Sequence, residues 1–426
     1  MVALAVGVVG GSSLVMRFGG DRPTSHAASS LRSALPFPLL PTTSQRGSLP
    51  PSAYTTSINA IDLAPGYSSD AHAMPGWVCW VTDPSQQSPA GASALHAART
   101  LNGGLSWREV ALPLNSATSC DMETDHDIAA RALVAVTTAS DATGACSTRL
   151  LVTRDNGDHW SEIPPAPQYA SDCAAGFRLF HDTLFAFAGA DPVTAKLRPI
   201  ALWKIGVSSS WTQASSGRAD MVVTAVAGQR AGGQLLGAAT FADPNAGPGS
   251  LVESADGGAT WNAIGALPSV NAALFIDEGP PASRSGADTI YALSEHAPQS
   301  VGESNTRALW RWNESRRLWQ ALPGIPHLQN APAPLAEADF AVIGVGLDGG
   351  LLAVAPGANQ PGDDQSRQNF WYWNARENRW LVSESQIALV VRPYGIGWSG
   401  ENATLWLIYA HLGVPAHVEL YTTTLV

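Results

Sequence analysis

Five side chains of this 426-residue sequence could carry chemistry if the fold brought them together: Asp62, Asp121, Glu123, Arg392 and Tyr394. Carboxylates that face each other at roughly 5–10 Å act as acid and base, or acid and nucleophile, in glycoside hydrolysis. Asp62, Asp121 and Glu123 fall near positions that read as inner strands. Arg392-Pro393-Tyr394 couples a guanidinium, suited to gripping a carboxylate, to a phenol. The run Asp121-Met122-Glu123-Thr124-Asp125-His126-Asp127 places four carboxylates and a histidine in seven residues. It could bind calcium, but it lacks the glycine that an EF-type loop needs at its sharp turn. A solvated hairpin between two strands is the preferred reading, and no metal or cofactor is expected. No Gly-x-Ser-x-Gly or His-Glu-x-x-His string occurs. Gly344-Val345-Gly346-Leu347-Asp348-Gly349 lies within a strand pattern with no helix after it, so it reads as a hairpin turn and not a phosphate loop. Asn313-Glu314-Ser315 and Asn402-Ala403-Thr404 match glycosylation sequons, which act only in a eukaryotic secretory pathway.

A repeated turn must position these groups. Ser254-Ala255-Asp256-Gly257-Gly258-Ala259-Thr260-Trp261 recurs as Thr100-Leu101-Asn102-Gly103-Gly104-Leu105-Ser106-Trp107 and, more loosely, as Thr153-Arg154-Asp155-Asn156-Gly157-Asp158-His159-Trp160. Strand-like residues flank each copy. Asp or Asn beside Gly suits a tight hairpin, because glycine takes positive φ without penalty. The Asp side chain can accept bonds from the turn's own N–H groups. The Trp is expected to fold back over the hairpin and cover apolar area.

The pattern Ser/Thr-x-Asp-x-Gly-x-Thr/Ser-Trp resembles the Asp-box, or BNR repeat, of β-propellers such as sialidases, sortilin-type receptors, xyloglucan-cleaving hydrolases and photosystem II assembly factors. Its residues here are Thr100, Asn102, Gly104 and Trp107; Asp155, Gly157 and Trp160; and Ser254, Asp256, Gly258, Thr260 and Trp261. Asn102 replaces the usual Asp, and His159 the usual Ser or Thr. The resemblance implies a structural box away from the active face. Gly76-Trp77 and Gly397-Trp398 resemble the assembly-factor repeats. A sialidase would also need an arginine triad, a Tyr nucleophile with a Glu, and an Asp. The early Arg-Ile-Pro motif of that family is absent, and Leu35-Pro36-Phe37-Pro38 has no Arg.

Trp107, Trp160, Trp211, Trp261, Trp319 and Trp380 recur every ~50–60 residues, a period that fits four-stranded propeller blades. Trp312 to Trp319 and Trp373 to Trp380 read as kelch-style or decayed versions of the same turn. Repeats are expected from about Ile58, Ser119, Ala170, Met221, Val270, Ala336 and Ala388. The last holds three strands, and a segment near Gln45 to Pro50 would supply the fourth, pairing first and last blades and removing open edges. The expectation is an all-β, seven-bladed propeller closed by an N-terminal strand, with six blades as the alternative. Residues 41–426 form this single domain. Residues 17–40, rich in Ser, Ala and Pro, read as a linker. Residues 1–16 are apolar but shorter than the ~20 a spanning helix needs. They read as a truncated signal peptide or an anchor that would attach the chain to a membrane, with a cytosolic N-terminus as the alternative.

The chain is 45% hydrophobic and 14% charged, with 40 Gly and 30 Pro, as suits a turn-rich β protein with an ample core. A net charge of −11 without a basic run makes nucleic acid a poor partner. Cys79, Cys120, Cys146 and Cys173 have no CxxC spacing, which argues against zinc. Two disulfides in an oxidising compartment are the preferred reading. Of three connectivities, Cys79–Cys120 with Cys146–Cys173 is favoured, each tying one blade to the next; buried thiols are the alternative. The expected function is a monomeric, non-enzymatic, exported or surface-anchored propeller that binds a protein or a glycan. The alternatives are a glycan-active hydrolase with its site on the funnel face and an assembly factor for a membrane complex.

Overall fold

The computed structural model describes residues 35–37, 45–50, 58–63, 76–82, 94–102, 105–114, 117–125, 131–139, 146–169, 176–180, 182–187, 197–230, 233–243, 246–269, 272–276, 289–296, 306–324, 341–345, 349–356, 367–383, 387–388, 392–399, 402–409 and 417–424. These residues are all-β, with one 3-10 turn at Pro167–Tyr169. Among them, no helix is long and apolar enough to cross a membrane. The apolar segment 1–16 lies outside the described residues.

Among the described residues, six sheets have four strands and one has six. The first comprises Ile58–Leu63, Gly76–Thr82, Ala94–Thr100 and Arg108–Val110. The second comprises Ser119–Thr124, Ala132–Ala139, Cys146–Thr153 and Trp160–Ile163. Gly176–Phe180, Thr183–Phe187, Ala201–Lys204 and Thr212–Gln213 make the third. The fourth is Met221–Gln229, Leu235–Phe241, Ser250–Ser254 and Asn262–Ala266. The fifth is Ala272–Ile276, Ile290–His296, Thr306–Asn313 and Leu318–Ala321. The sixth is built on Ala341–Val345, Leu351–Pro356, Arg367–Asn374 and Arg379–Ser383. The seventh takes Arg392–Ser399, Asn402–Tyr409 and His417–Thr424, with Gln45–Ser48 antiparallel to the last of these.

Each sheet is built on an antiparallel meander of consecutive strands, to which the sixth and seventh add a segment from before the first repeat. Its first strand lies against the first strand of the next sheet, and Arg392–Ser399 lies against both Ala341–Val345 and Ile58–Leu63. Middle strands are therefore covered on both faces. Leu184-Phe185-Ala186-Phe187 is buried throughout, an unbroken apolar run of the kind such burial requires. Outer strands such as Thr212–Gln213 are exposed.

The apolar core is a series of layers between sheets. Trp77, Cys79 and Leu95 of the first sheet meet Cys120, Met122 and Val134 of the second. Equivalent layers fill the next four seams. The recurrent tryptophans belong to these seams. Trp160 packs edge-on against Trp77 of the preceding sheet at 5.7 Å. Trp211 donates its indole N–H to the Pro164 carbonyl at 2.6 Å, Trp319 to Ala266 at 2.7 Å and Trp380 to Pro323 at 2.9 Å. In each case the acceptor is at the exit of the preceding sheet. These three tryptophans thus clasp the neighbouring sheet, whereas Trp261 of the fourth sheet's turn folds back on its own hairpin, as expected, and donates to the Gly258 carbonyl at 2.7 Å.

Cys79 and Cys120 form a disulfide between the second strand of the first sheet and the first strand of the second, with Cα atoms 6.3 Å apart. Cys173 and the side chain of Cys146 lie outside the described residues. A crosslink closing a separation of 41 residues restricts the unfolded chain. The double substitution Cys79→Ala/Cys120→Ala is expected to cost about 3–4 kcal/mol in urea unfolding.

Two boundaries differ from expectation. Leu35–Phe37, within the segment read as linker, pairs parallel with Leu381, Val382 and Ser383 on the outer edge of the sixth sheet. Ile387–Ala388 pairs with Gln368 and Arg367 of that same sheet, so Ala388 belongs to the sixth sheet and the described part of the seventh begins at Arg392, residues 389–391 lying outside the described residues. The apolar run Ala388-Leu389-Val390-Val391 has strand propensity but no mark of which sheet it joins.

Candidate functional site

The three repeated turns share one hydrogen-bond pattern. In the fourth sheet, Ser254 Oγ donates to Asp256 Oδ1 at 2.8 Å and accepts from Gly258 N at 2.8 Å. Thr260 donates its N–H to Asp256 Oδ1 at 2.9 Å and its hydroxyl to Oδ2 at 2.6 Å. In the second sheet, Thr153 donates to Asp155 at 3.0 Å and accepts from Gly157 N at 2.8 Å, while His159 N donates to Asp155 at 2.9 Å. In the first, Asn102 Oδ1 accepts from Thr100 and from Ser106 N, each at 2.9 Å, and Asn102 Nδ2 donates to Ser106 Oγ at 2.9 Å. The Asn thus reverses the last bond, donating where Asp256 accepts. Gly104 lies outside the described residues.

Gly157 (φ +82°) and Gly258 (φ +95°) take the left-handed conformation that disfavours side chains. They also touch the preceding sheet. A Cβ on Gly157 would sit 2.7 Å from Trp77 Cη2, and one on Gly258 2.4 Å from Phe185 Cε1. The turns at 313–319 and 374–380 are built differently. Asn313 Oδ1 accepts from Ser315 Oγ and Arg316 N, and Asn374 Oδ1 from the N–H groups of Arg376 and Glu377. Arg317 and Asn378 take positive φ in place of glycine. They are Asn-anchored turns and not worn copies of the first kind.

The same turns carry the charges that join sheets. Arg99 bonds the Asn156 carbonyl and lies 3.9 Å from Asp158. Arg154 bonds the Ile205 carbonyl at 2.5 Å and lies 3.8 Å from Asp182. Arg230 reaches Glu253 at 3.4 Å and Glu314 of the fifth sheet at 3.3 Å. In a meander, the link from first to second strand and the link from third to fourth lie at one end. One end of the stack is therefore laced by ion pairs.

This lacing draws in the acidic run. Residues 119–124 form the first strand of the second sheet, and Asp125 is fully buried. The expected solvated hairpin is corrected for these residues. Cys120 and Met122 pack on the first sheet. By alternation, Asp121 and Glu123 face the other way. Glu123 and Arg178 are both buried, 3.4 Å apart, across the first strands of the second and third sheets. Arg131 lies 3.7 Å from Asp125 and 2.6 Å from Asp182 of the third sheet. Sequence reasoning missed Arg178, although one arginine inside Phe177-Arg178-Leu179-Phe180 signals a buried partner.

Asp62, Arg392 and Tyr394 are placed by backbone. Asp62 pairs with Trp77, and Arg392 with Ile408. Tyr394 sits at a register shift between Pro393 and Gly395. All five candidates therefore lie on three successive first strands, 392–399, 58–63 and 119–124. Asp62 and Glu123 hold the same place in their strands, one residue from the end, whereas Arg392 opens its own. Among the described residues, no group of three His, Cys, Asp or Glu is placed to hold a metal ion.

Electrostatics set the second turn apart. His159 Nδ1 lies 2.6 Å from Asp155 Oδ2. That bond lowers the Asp155 carboxyl to about 2 and raises the imidazole above its ordinary 6.5. At Asp256, burial pushes the carboxyl up, but bonds from Thr260 and Ser254 outweigh it and hold the group below its usual value. The His159 contribution to stability is fully present below pH ~6.5 and lost as pH rises through the raised folded value. The Asp155 contribution is present above its unfolded value near 3.8 and lost as pH falls toward 2. A thermal unfolding series should thus lose this contribution as pH rises above ~6.5, and His159→Thr should abolish that loss.

The sequence matches no family profile and no curated protein. Among solved structures, YCF48 bound to a D1 peptide aligns over 91% of this chain and 99% of its own, at 12% identity and a TM-score of 0.46. YCF48 from Cyanidioschyzon merolae aligns over 88% and 97%, at 12% identity and a TM-score of 0.44. The Penicillium chrysogenum α-L-arabinanase complexed with arabinobiose aligns over 92% and 99%, at 10% identity and a TM-score of 0.39. At these scores the likeness assigns no function.

Proposed function

We propose that this chain is a seven-bladed, exported or surface-anchored β-propeller that binds a protein or glycan partner without catalysis. Three features support the architecture: the unbroken succession of first strands, the pairing of Gln45–Ser48 with His417–Thr424, and the Asp-box geometry of the three turns. The Cys79–Cys120 bond supports an oxidising compartment. One observation carries the non-enzymatic reading. Glu123, the best placed candidate acid, is buried against Arg178. A side chain nine-tenths buried and engaged by a guanidinium on the neighbouring strand is not presented to a substrate, as a catalytic acid must be.

The test is release of sugar from a panel of arabinosides, sialosides and xyloglucan oligosaccharides by the wild type and by Asp121→Asn/Glu123→Gln. The binding reading expects no turnover from either. Turnover that the double variant abolishes would overturn it in favour of the hydrolase.

A further inference from the structure

The sixth sheet differs from the other six. Its outermost regular strand, Arg379–Ser383, carries a further strand, Leu35–Phe37, and this is the one parallel pairing between named strands among the described residues. Beyond the end of Arg379–Ser383, the outward edge of Arg367–Asn374 is taken by Ile387–Ala388. Two separate segments are thus recruited to the outer side of one sheet. An outer strand has a row of N–H and C=O groups that water or another strand must satisfy.

Sequence explains why addition stops at one strand. The added segment reads Leu35-Pro36-Phe37-Pro38. Proline offers no N–H, so a strand with a central proline ends a sheet and does not seed the next pairing. The location is also specific. Tryptophan N–H bonds clasp the second to the third sheet, the fourth to the fifth and the fifth to the sixth, while the outer strand of the seventh, Gln45–Ser48, contains no tryptophan. The residues between Phe37 and Gln45 can span about 25 Å when extended, enough to run from one sheet to its neighbour. One stretch of chain therefore supplies an outer strand to both the sixth and the seventh sheets.

We propose that the edge at Arg379–Ser383 is a strand-accepting peptide site, filled in cis by Leu35–Phe37. Its ligand class is an extended, proline-interrupted apolar segment added in parallel, and Leu35–Phe37 acts as a strap that a competing segment of that kind can displace. Main-chain bonds supply the affinity in this mode of recognition.

The test uses the full chain with Leu35→Pro/Phe37→Pro, which removes the two N–H donors of the added strand and leaves Gln45–Ser48 intact. Hydrogen exchange within Leu381–Ser383, at the amides that face the added strand, is expected to quicken at least tenfold in the variant, with exchange at Val418–Leu420 unchanged. A fluorescent peptide of residues 31–40 should bind the variant saturably, and the wild type at least tenfold more weakly. Equal exchange at 381–383 in both proteins, or equal peptide binding to both, would overturn the proposal. Acceleration at 418–420 as well would equally overturn it, because the two strands would then open as one unit.

Discussion

Arg178→Ala is expected to lower the stability of the chain by about 3–5 kcal/mol in urea unfolding, among the largest losses for any single change. The reason is the company that Glu123 keeps. Its side chain is nine-tenths buried, and Arg178, equally buried, lies 3.4 Å away on the neighbouring first strand. Removing the cation leaves a carboxylate in a poorly solvated place, and the penalty is mainly that of the abandoned charge. The corollary is sharper than the single loss. Glu123→Leu/Arg178→Met removes both charges and keeps volume, and should recover most of the stability, since apolar replacement of a buried pair is often neutral or better. A double variant as unstable as Arg178→Ala would mean that the two residues are not coupled. Glu123→Gln separates structure from catalysis: it should lower stability and leave every glycan untouched.

Trp261→Ala is the second large effect, again about 3–5 kcal/mol. Trp261 has no exposed surface, and it packs with Phe185 and Leu202 of the third sheet and with Val223, Leu235 and Val252 of its own. Its indole N–H donates to the Gly258 carbonyl at 2.7 Å, which ties the side chain to the turn that precedes it. Trp261→Phe keeps much of the apolar contact and loses the bond and part of the volume. It should cost about half as much or less, and the difference between the two variants measures the packing share. A near-equal loss would place the value of the residue in the hydrogen bond.

The sequence made the repeats legible because their chemistry is local. An Asp or Asn two residues after a hydroxyl, then glycine and tryptophan, is enough to specify a turn that satisfies its own backbone. The segment near Gln45 was legible for a different reason. The last repeat holds three strands, and the strand-like residues near Gln45, ahead of the first repeat, suit a fourth. The acidic run was misread because composition says nothing about partners. Its alternation, with Cys120 and Met122 interleaved by Asp121 and Glu123, fits a strand as well as a hairpin, and Arg178 decides between them from 55 residues away. Residues 35–37 were misread because a Ser- and Pro-rich segment carries no propensity of its own; the edge it meets orders it. Nor could periodicity reveal that Trp160, Trp211, Trp319 and Trp380 turn to the sheet before their own, since spacing gives the register of a residue and not the side to which it turns.

The pairing of Gln45–Ser48 with His417–Thr424 imposes an order on how the molecule comes into being. These two strands are roughly 370 residues apart, so at ~5–20 residues per second the ribosome finishes the second about 20–70 s after the first. Intermediate sheets can form as they emerge, with Trp211, Trp319 and Trp380 each docking onto a sheet already made. Gln45–Ser48 waits for its antiparallel partner until His417–Thr424 is released. Until Arg392–Ser399 emerges, the sheets already made form an open succession, because that strand lies against both Ala341–Val345 and Ile58–Leu63. Translation halted before His417 would leave Gln45–Ser48 without its partner, a form that cellular proteases can tell from one in which the pair has formed.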